Sequence, residues 1–314
     1  MAITRREAFK NIAKGTLPVL AVGCASAVMP QVAHAEETVE VSKDALGLLY
    51  DATKCVGCKA CMVGCAKANN LEGDVRDPNY DGLHYGKGDL NYYTKNVIKL
   101  YKSEDSSEFS YFKQQCMHCA DPACVSACMF HGLTKDEKTG VVAWNGSKCV
   151  GCRYCEVACP FHVPTFQWEG FNPKIVKCEL CHELTAKGGQ PGCTSVCPTG
   201  AVIYGKREDL LEQAKARIKA TPGKYYNDHV YGEKEGGGTQ VLYLSHVEFS
   251  KLGLPVLNED SIPSRLKWQH MIYKYLAVPA LLYATMATFI RGNFKEHVHH
   301  LQEDQAKSGL RPQL

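Results

Sequence analysis

Short apolar runs separated by polar and glycine-rich stretches divide this chain, and they predict β-strands connected by loops. Runs of this length bounded by turn residues are typical of strands. The predicted strands are Leu46–Tyr50, Asn96–Tyr101, Phe109–Phe112, Pro198–Tyr204 and Val241–Val247, with a strand–turn–strand hairpin over Leu133–Trp144. The stretch Asn69–Tyr93 is rich in Asn, Asp, Gly and Tyr, which predicts a loop.

A helical pattern occurs over Arg207–Ala220, where apolar residues recur at intervals of three and four. Pro222 and Gly223 end it. The predicted apolar face holds Leu210, Leu211, Ala214 and Ile218.

A longer apolar stretch covers residues 271–290, and a helix needs about 20 such residues to cross a bilayer. Its single charge, Lys274, lies near one end, where it can reach the interface. Arg291 and Lys295 follow the stretch, which places the C-terminus on the cytoplasmic side. We therefore predict a transmembrane anchor over 268–291 and a polar tail over 292–314, the alternative being a buried soluble helix.

Residues 1–35 have the features of a twin-arginine signal peptide. Arg5 and Arg6 precede an apolar, uncharged stretch, and Ala33–Ala35 offers the small residues of a cleavage site. This route exports folded, cofactor-loaded proteins, so we expect the mature chain on the periplasmic side of the cytoplasmic membrane. We expect Cys24 to be a small apolar residue of the discarded peptide rather than a lipidation site.

The cysteines are the most informative residues for function. The chain has 17 of them, and all but one fall into four motifs. The first and third motifs are spaced C-x2-C-x2-C-x3-C, and the second and fourth differ only in a longer middle gap. In chain order the motifs are Cys55, Cys58, Cys61 and Cys65; Cys116, Cys119, Cys124 and Cys128; Cys149, Cys152, Cys155 and Cys159; and Cys178, Cys181, Cys193 and Cys197.

This spacing is typical of bacterial ferredoxins, in which three thiolates bind one [4Fe–4S] cluster and the fourth binds the other cluster of a pair. Four motifs therefore predict four [4Fe–4S] clusters and two ferredoxin units in one chain. Pro160 and Pro198 follow the third and fourth motifs, as in ferredoxins, whereas Ala66 and Met129 follow the first and second. Disulfides, favoured in short secreted scaffolds, and zinc, held by paired C-x2-C units, are the alternatives.

Charge and motif content argue against several other functions. The formal net charge of +3 falls to about −5 when four clusters bring about −2 each, and no basic stripe is present, so we expect no nucleic-acid binding. No set of acid, base and nucleophile indicates catalysis. The glycine run Gly236–Gly238 lacks the ending of a phosphate-binding loop, and we predict a plain loop before a strand.

Lys54, Lys148 and Lys177 each directly precede the first cysteine of a motif. A positive charge beside the sulfurs would raise a cluster's reduction potential. We favour the simpler interpretation, in which all three are solvated surface lysines.

Together these features resemble the four-cluster iron–sulfur subunits of membrane oxidoreductases, most closely the HybA type of the hydrogenase-2 complex. The resemblance rests on the cysteine motifs with their flanking residues and on the block Tyr231–Leu242, and it covers nearly the whole chain. It implies an α+β fold of two nested bacterial ferredoxin-like units plus a C-terminal transmembrane helix. The outer unit would comprise 36–112 and 165–262, and the inner unit 113–164.

The resemblance also implies that motif one pairs with motif four, and motif two with motif three. Spacing alone leaves the pairing open. The implied ligand sets are Cys55, Cys58, Cys61 and Cys197; Cys65, Cys178, Cys181 and Cys193; Cys116, Cys119, Cys124 and Cys159; and Cys128, Cys149, Cys152 and Cys155.

As a member of that family, the chain would have no catalytic site of its own. It would pass electrons between the large and small subunits of a periplasmic [NiFe] hydrogenase and an integral membrane, quinone-reactive subunit. One alternative is the same role for a molybdenum enzyme, such as a formate dehydrogenase or a sulfur- or N-oxide reductase. Another is a membrane-tethered iron–sulfur redox sensor or assembly factor.

Overall fold

The computed structural model describes residues 41–71, 89–104, 107–167, 174–263, 282–288 and 290. The predicted signal peptide, the polar tail and most of the predicted membrane span lie outside these residues. The described part of that span, 282–288 and 290, is helical and exposed. Within the described ranges, no helix combines the length and the apolar character that crossing a bilayer requires.

Strands and short helices alternate along the described chain. The strands are β1 (Leu46–Asp51), β2 (Asn96–Lys102), β3 (Phe109–Gln115), β4 (Leu133–Lys135), β5 (Val142–Trp144), β6 (Thr165–Gln167), β7 (Lys174–Val176), β8 (Val202–Lys206) and β9 (Val241–Leu244). The α-helices are α1 (Ala60–Ala68), α2 (Ala123–Ser126), α3 (Tyr154–Ala158), α4 (His182–Thr185), α5 (Gly192–Ser195) and α6 (Arg207–Ala220). This mixed content agrees with the predicted α+β ferredoxin-type class.

Strand β1 is the centre of a three-stranded sheet in the order β8-β1-β9. It pairs antiparallel with β8, with Leu48 opposite Tyr204, and parallel with β9, with Leu48 opposite Val241. Neighbours on both edges and packing on both faces bury five of its six residues. A central strand covered on both faces is expected to be a continuous apolar run, as Leu46–Tyr50 is.

Alternate residues of β1 face two different layers, because successive side chains of a strand point to opposite faces. On one face Leu49 packs in a core with Leu210 and Ala214 of α6. On the other face Leu48 and Tyr50 belong to the largest core, which includes buried cysteines of motifs one, two and four. The sheet therefore separates a helical layer from the cysteine-bearing layer.

A buried carboxylate ties β1 to the segment that covers it. Asp51 is fully buried, and its oxygens accept hydrogen bonds from the Thr53 hydroxyl at 2.6 Å and the Tyr225 hydroxyl at 3.1 Å. Arg217 of α6 pairs with it at 3.1 Å. A buried charge needs such partners, so Asp51 fixes α6 against the end of β1, just before the first cysteine motif.

The chain between motifs two and four builds a smaller core from two hairpins. β4 pairs antiparallel with β5, and β6 with β7. Leu133, Val142, Phe166 and Ile175 from these four strands pack around buried cysteines of motifs two and three. The long hairpin β2–β3 lies outside this core, and Val97, Ile98 and Phe112 pack in the larger one.

The predicted strands and the predicted helix are confirmed, with shifted boundaries: β3 continues beyond Phe112 to Gln115, and β9 ends at Leu244 instead of Val247. β8 begins at Val202 instead of Pro198. Pro198 has no backbone N–H to pair with β1, and Gly200 takes a left-handed conformation with φ +59. These residues form a turn that leaves motif four before the strand starts.

Candidate functional site

Cysteines of motifs one and four line one cavity, which we call site I. Its members are Cys55, Cys58, Cys61 and Cys197. Cys61 is buried and Cys58 is exposed, so one side of site I faces solvent. Sequence spacing could not bring Cys197 to this group, and the fold does so because α5 lies beside α1.

The remaining cysteines of these two motifs line a second cavity, site II. Its members are Cys65, Cys178, Cys181 and Cys193. Three of them are buried and the fourth, Cys181, is half-buried. Motifs one and four therefore exchange one cysteine each, Cys65 for Cys197.

Motifs two and three form two further groups in the same manner. Site III brings together Cys116, Cys119, Cys124 and Cys159, and burial together with the other three members raises the pKa of the Cys119 thiol well above its usual value. Site IV comprises Cys128, Cys149, Cys152 and Cys155, which line one cavity. Here the two motifs exchange Cys128 and Cys159.

Each group of four thiols suits a cube of four irons, in which every thiolate binds a different iron. In the part of the chain that the structure describes, no three Cys, His, Asp or Glu side chains converge closely enough for a single metal ion. The donor set is all thiolate, which iron–sulfur clusters prefer. The residues present therefore fit a [4Fe–4S] cluster.

Left-handed turn residues shape the loops of motifs one and three. Gly57 and Lys59 have φ of +68 and +59, and Gly151 and Arg153 have φ of +71 and +65. Alternation of this conformation with ordinary residues turns successive backbone N–H groups into a concavity that attracts anions. At Gly57 a Cβ would also meet the Tyr111 ring at 2.3 Å, so the loop requires glycine there.

Two helix contacts place the exchanged cysteines. α1 carries Cys61 and Cys65 one turn apart, and it meets α5 where Gly64 and Gly192 face each other. A Cβ on Gly64 would lie 2.3 Å from the Gly192 carbonyl oxygen, and a Cβ on Gly192 would lie 2.4 Å from the Gly64 oxygen. This close approach lets Cys193 reach the site of Cys65.

Hydrogen-bond donors surround the sulfurs of site II. The Leu180 N–H donates to the Cys178 sulfur at 3.4 Å, and the Asn69 amide lies 3.6 Å from the sulfurs of both Cys65 and Cys181. Lys95 holds Asn69 in place with a bond of 3.0 Å to its amide oxygen. Donors of this kind stabilise anionic sulfur and raise a cluster's potential.

Glu179 connects site II to the inner hairpin. Its carboxylate accepts from Lys95 at 2.9 Å and from the Trp144 backbone N–H on β5 at 2.9 Å. Burial raises the pKa of Glu179, but Coulomb attraction to Lys95 and Lys177 lowers it more. The pKa of Glu179 therefore lies below its usual value. The residue after Cys178 thus links motif four to the core around sites III and IV.

The lysines that precede the motifs differ in their surroundings. Lys54 and Lys148 are exposed, as expected. Lys177 is buried, and its ammonium donates to the backbone oxygens of Val142 and Cys178. The surface interpretation is therefore wrong for Lys177, because β7 carries it into the core beside β5 where two carbonyls receive its N–H groups.

Burial raises the pKa of four thiols in these groups. It reaches about 12 for Cys61 and Cys155, and about 11 for Cys178 and Cys193. Without iron these thiols hold their protons at neutral pH. Because a cluster binds thiolates, its insertion must release those protons.

The glycine run packs against motif two. The Gly238 carbonyl accepts from the Ala120 N–H at 2.8 Å, and the Arg207 guanidinium donates to carbonyl oxygens of Gly232, Glu233 and Thr239. The predicted loop before a strand is confirmed, since β9 starts at Val241. Its function in the fold is to hold the loop that carries Cys119.

Sequence reasoning missed Lys113 and Gln115 on β3. Lys113 lies in the wall of site I and Gln115 in the wall of site II, and both side chains are buried. The only available signal was their position: two polar residues on the same face of a strand that leads directly into motif two.

Comparison with protein families finds a match to the 4Fe-4S dicluster domain over residues 107–207. This range contains motifs two, three and four. It independently assigns iron–sulfur chemistry to the part of the chain in which sites III and IV lie.

Comparison with individual proteins finds relatives along nearly the whole chain. The Hydrogenase-2 operon protein HybA of Escherichia coli O157:H7 is 40% identical over 310 residues, which cover 88% of this chain and 93% of that protein. The formate dehydrogenase-O iron-sulfur subunit of Escherichia coli K12 is 32% identical over 82% of this chain and 89% of that protein. The formate dehydrogenase iron-sulfur subunit of Haemophilus influenzae is 29% identical, with 94% and 96% covered.

Identity of this level over almost the full length of both chains extends well beyond the cysteine motifs. The chain belongs to the family of ferredoxin-type iron–sulfur proteins that includes HybA and the iron–sulfur subunits of formate dehydrogenases.

Proposed function

We propose that this chain is an electron-transfer subunit that holds four [4Fe–4S] clusters and connects a periplasmic [NiFe] hydrogenase to a quinone-reactive membrane subunit. The observation that carries the proposal is the gathering of the motif cysteines into four groups of four. Each group takes three thiols from one motif and one from its partner. This is the ligand pattern of a two-cluster ferredoxin, present twice.

The proposed ligand sets are sites I to IV as defined above. Sites I and II belong to an outer ferredoxin-like unit of residues 36–112 and 165–262, and sites III and IV to an inner unit of residues 113–164. Each bound cluster exchanges one electron at a time. The chain's own residues hold the clusters, exclude water from the buried thiolates and donate hydrogen bonds to sulfur.

Hydrogen would give two electrons and two protons at the partner's nickel–iron centre. The electrons would pass singly through the four sites, and the quinone would take up two electrons and two protons at the membrane subunit. The hydrogenase assignment is supported by the 40% identity to HybA. In this proposal the large and small hydrogenase subunits contact one side of this chain and the membrane subunit contacts the other.

The proposed location is the periplasmic side of the cytoplasmic membrane. Export by the twin-arginine route is supported by the Arg5-Arg6 pair with the apolar stretch that follows. Anchoring over 268–291 is supported by an apolar stretch of about 20 residues with a single charge.

A molybdenum-dependent formate dehydrogenase is the second candidate partner. It is favoured by the similarity to two formate dehydrogenase iron–sulfur subunits over more than four fifths of this chain. The four sites would carry electrons in the same way in either complex.

The deciding experiment measures nickel and molybdenum in the complex that copurifies with this chain from detergent-solubilised membranes. The hydrogenase proposal predicts nickel without molybdenum, and hydrogen-dependent quinone reduction by the same fraction. Molybdenum without nickel would replace the hydrogenase by the second candidate. Iron alone, with no partner subunits, would contradict both and leave the membrane-tethered sensor or assembly factor.

A further inference from the structure

A single lysine lies between sites I and II. Lys113 on β3 has no exposed surface and forms part of the wall of site I. Its ammonium donates to the side-chain oxygen of Gln115, two residues along the same face, and Gln115 forms part of the wall of site II. The Lys113–Gln115 pair therefore extends from one site to the other.

The surroundings of Lys113 supply no ordinary counter-charge. In the described ranges, no carboxylate forms an ion pair with its ammonium, although a buried charge without a partner is strongly unfavourable. Burial lowers the pKa of Lys113, but nearby thiols raise it more, in the order Cys193, Cys61, Cys178 and Cys65. These thiols belong to both sites, so the negative charge opposite Lys113 is that of the two sites themselves.

Gln115 is oriented by this contact. Its oxygen accepts from Lys113, and its amide nitrogen is buried with no acceptor among the described residues. A buried N–H group without an acceptor is costly, and an anionic sulfur in site II would satisfy it. The Gln115 side chain therefore links Lys113 to site II, and its amide N–H group is available as a hydrogen-bond donor to a sulfur there.

We propose that the buried Lys113 ammonium, oriented by Gln115, is a shared positive charge that raises the reduction potentials of the clusters in both site I and site II. Reduction adds negative charge to a cluster, and a fixed positive charge in a low-dielectric interior stabilises that reduced form. This inference rests on the proposed function, since it requires clusters in these sites, and it assigns Lys113 as a positioning residue for their potentials.

The test is a redox titration, followed by electron paramagnetic resonance, of the full chain in its copurified complex. Lys113→Met keeps the length of the side chain and removes the charge. We expect the potentials of two of the four clusters, those of sites I and II, to shift downward, while the other two keep their values. Lys54→Met is the matched control, because Lys54 is exposed beside Cys55 and solvent screens its charge; we expect a much smaller shift.

A second variant removes the net charge without changing size. Gln115→Glu places a carboxylate against the Lys113 ammonium, and we expect the same two potentials to fall. If Lys113→Met loses iron, the cluster potentials of Gln115→Glu test the inference in its place. Unchanged potentials in a variant that keeps all four clusters would overturn the inference and leave the proposed function intact. Fewer than four clusters in the unmodified complex, detected by iron content and spin quantitation, would instead overturn the proposed function.

Discussion

Cys65 lies one helical turn after Cys61, yet the two thiols line different cavities. Residues four apart share a helix face, so sites I and II follow one another along the same face of α1. The last cysteine of each motif likewise follows the third by four residues and belongs to the site of the partner motif.

Substitution of Cys65 by serine tests this exchange of ligands. We expect Cys65→Ser to reduce or alter the resonance signal of the site II cluster while the site I cluster, held by the other three cysteines of motif one, keeps its signal. Electron paramagnetic resonance of the reduced protein measures both. Loss of the site I signal in Cys65→Ser would show that motif one keeps all four of its cysteines.

Residue identity predicted the thiols but not the groups that tune them. Cysteine spacing is a strong signal because cluster geometry dictates it. Lys113 and Lys177 gave no comparable signal, because no local residue pattern shows whether a lysine side chain faces solvent or a sulfur. Lys113 is buried on β3, and Lys177 is buried directly after β7.

At the scale of elements, the contact between α1 and α5 determines how closely motifs one and four approach. Gly64 and Gly192 permit backbone contact, and the cysteines on either side of them, Cys61 and Cys65 with Cys193 and Cys197, are thereby brought to sites I and II. Any side chain at this point must push the helices apart, because the atoms it meets are backbone.

Gly64→Ala tests this contact. The added Cβ would lie 2.3 Å from the Gly192 oxygen, and overpacking of this kind costs about 1–3 kcal/mol. We expect a loss of iron from sites I and II, measured by iron content and visible absorption, and a lower free energy of unfolding. Gly205→Ala is the control, because its Cβ would meet only the Leu210 side chain at 3.7 Å; equal iron loss in both variants would contradict the argument.

Local sequence patterns predicted most helices and strands, but they did not predict which strands pair when the strands are far apart in the chain. The strands, the hairpin β4–β5 and helix α6 follow from periodicity and turn residues. The parallel pairing of β1 with β9 joins residues 48–51 to 241–244. Parallel pairing of this kind requires a long connection. The residues of either strand alone do not indicate it.

At the scale of the whole molecule, the cysteine groups are part of the core. Cys61, Cys116, Cys178 and Cys193 are counted among the buried residues that pack with β1, β2 and β9. Iron binding and folding are therefore coupled, as in other small metalloproteins.

The iron-free protein should show this coupling in its pH dependence. Burial raises the pKa of Cys61 and Cys155 to about 12 and of Cys178 and Cys193 to about 11, from 9.0. The raised values stabilise the folded state fully below pH 9, and that contribution is lost as the pH rises from 9 toward 12. Anaerobic urea unfolding of the chelated protein should give a lower free energy at about pH 10.5 than at about pH 7.5.

The iron-loaded protein is the comparison, because its thiolates are already ligated and these groups should contribute no such change. A free energy of unfolding for the iron-free protein that is the same at both pH values would show that the thiols are exposed in its folded state.

The exchange of Cys197 into site I has a consequence for synthesis of the chain. Sites III and IV take every cysteine from residues 116–159, whereas site I, begun at Cys55, waits for Cys197. A ribosome therefore releases every segment needed for the inner sites before it has made the motif-four cysteines that the outer sites also require. A chain cut short after Cys159 would have two complete sites and two incomplete ones. Site I can be completed only after nearly all of the ferredoxin-like region has been made.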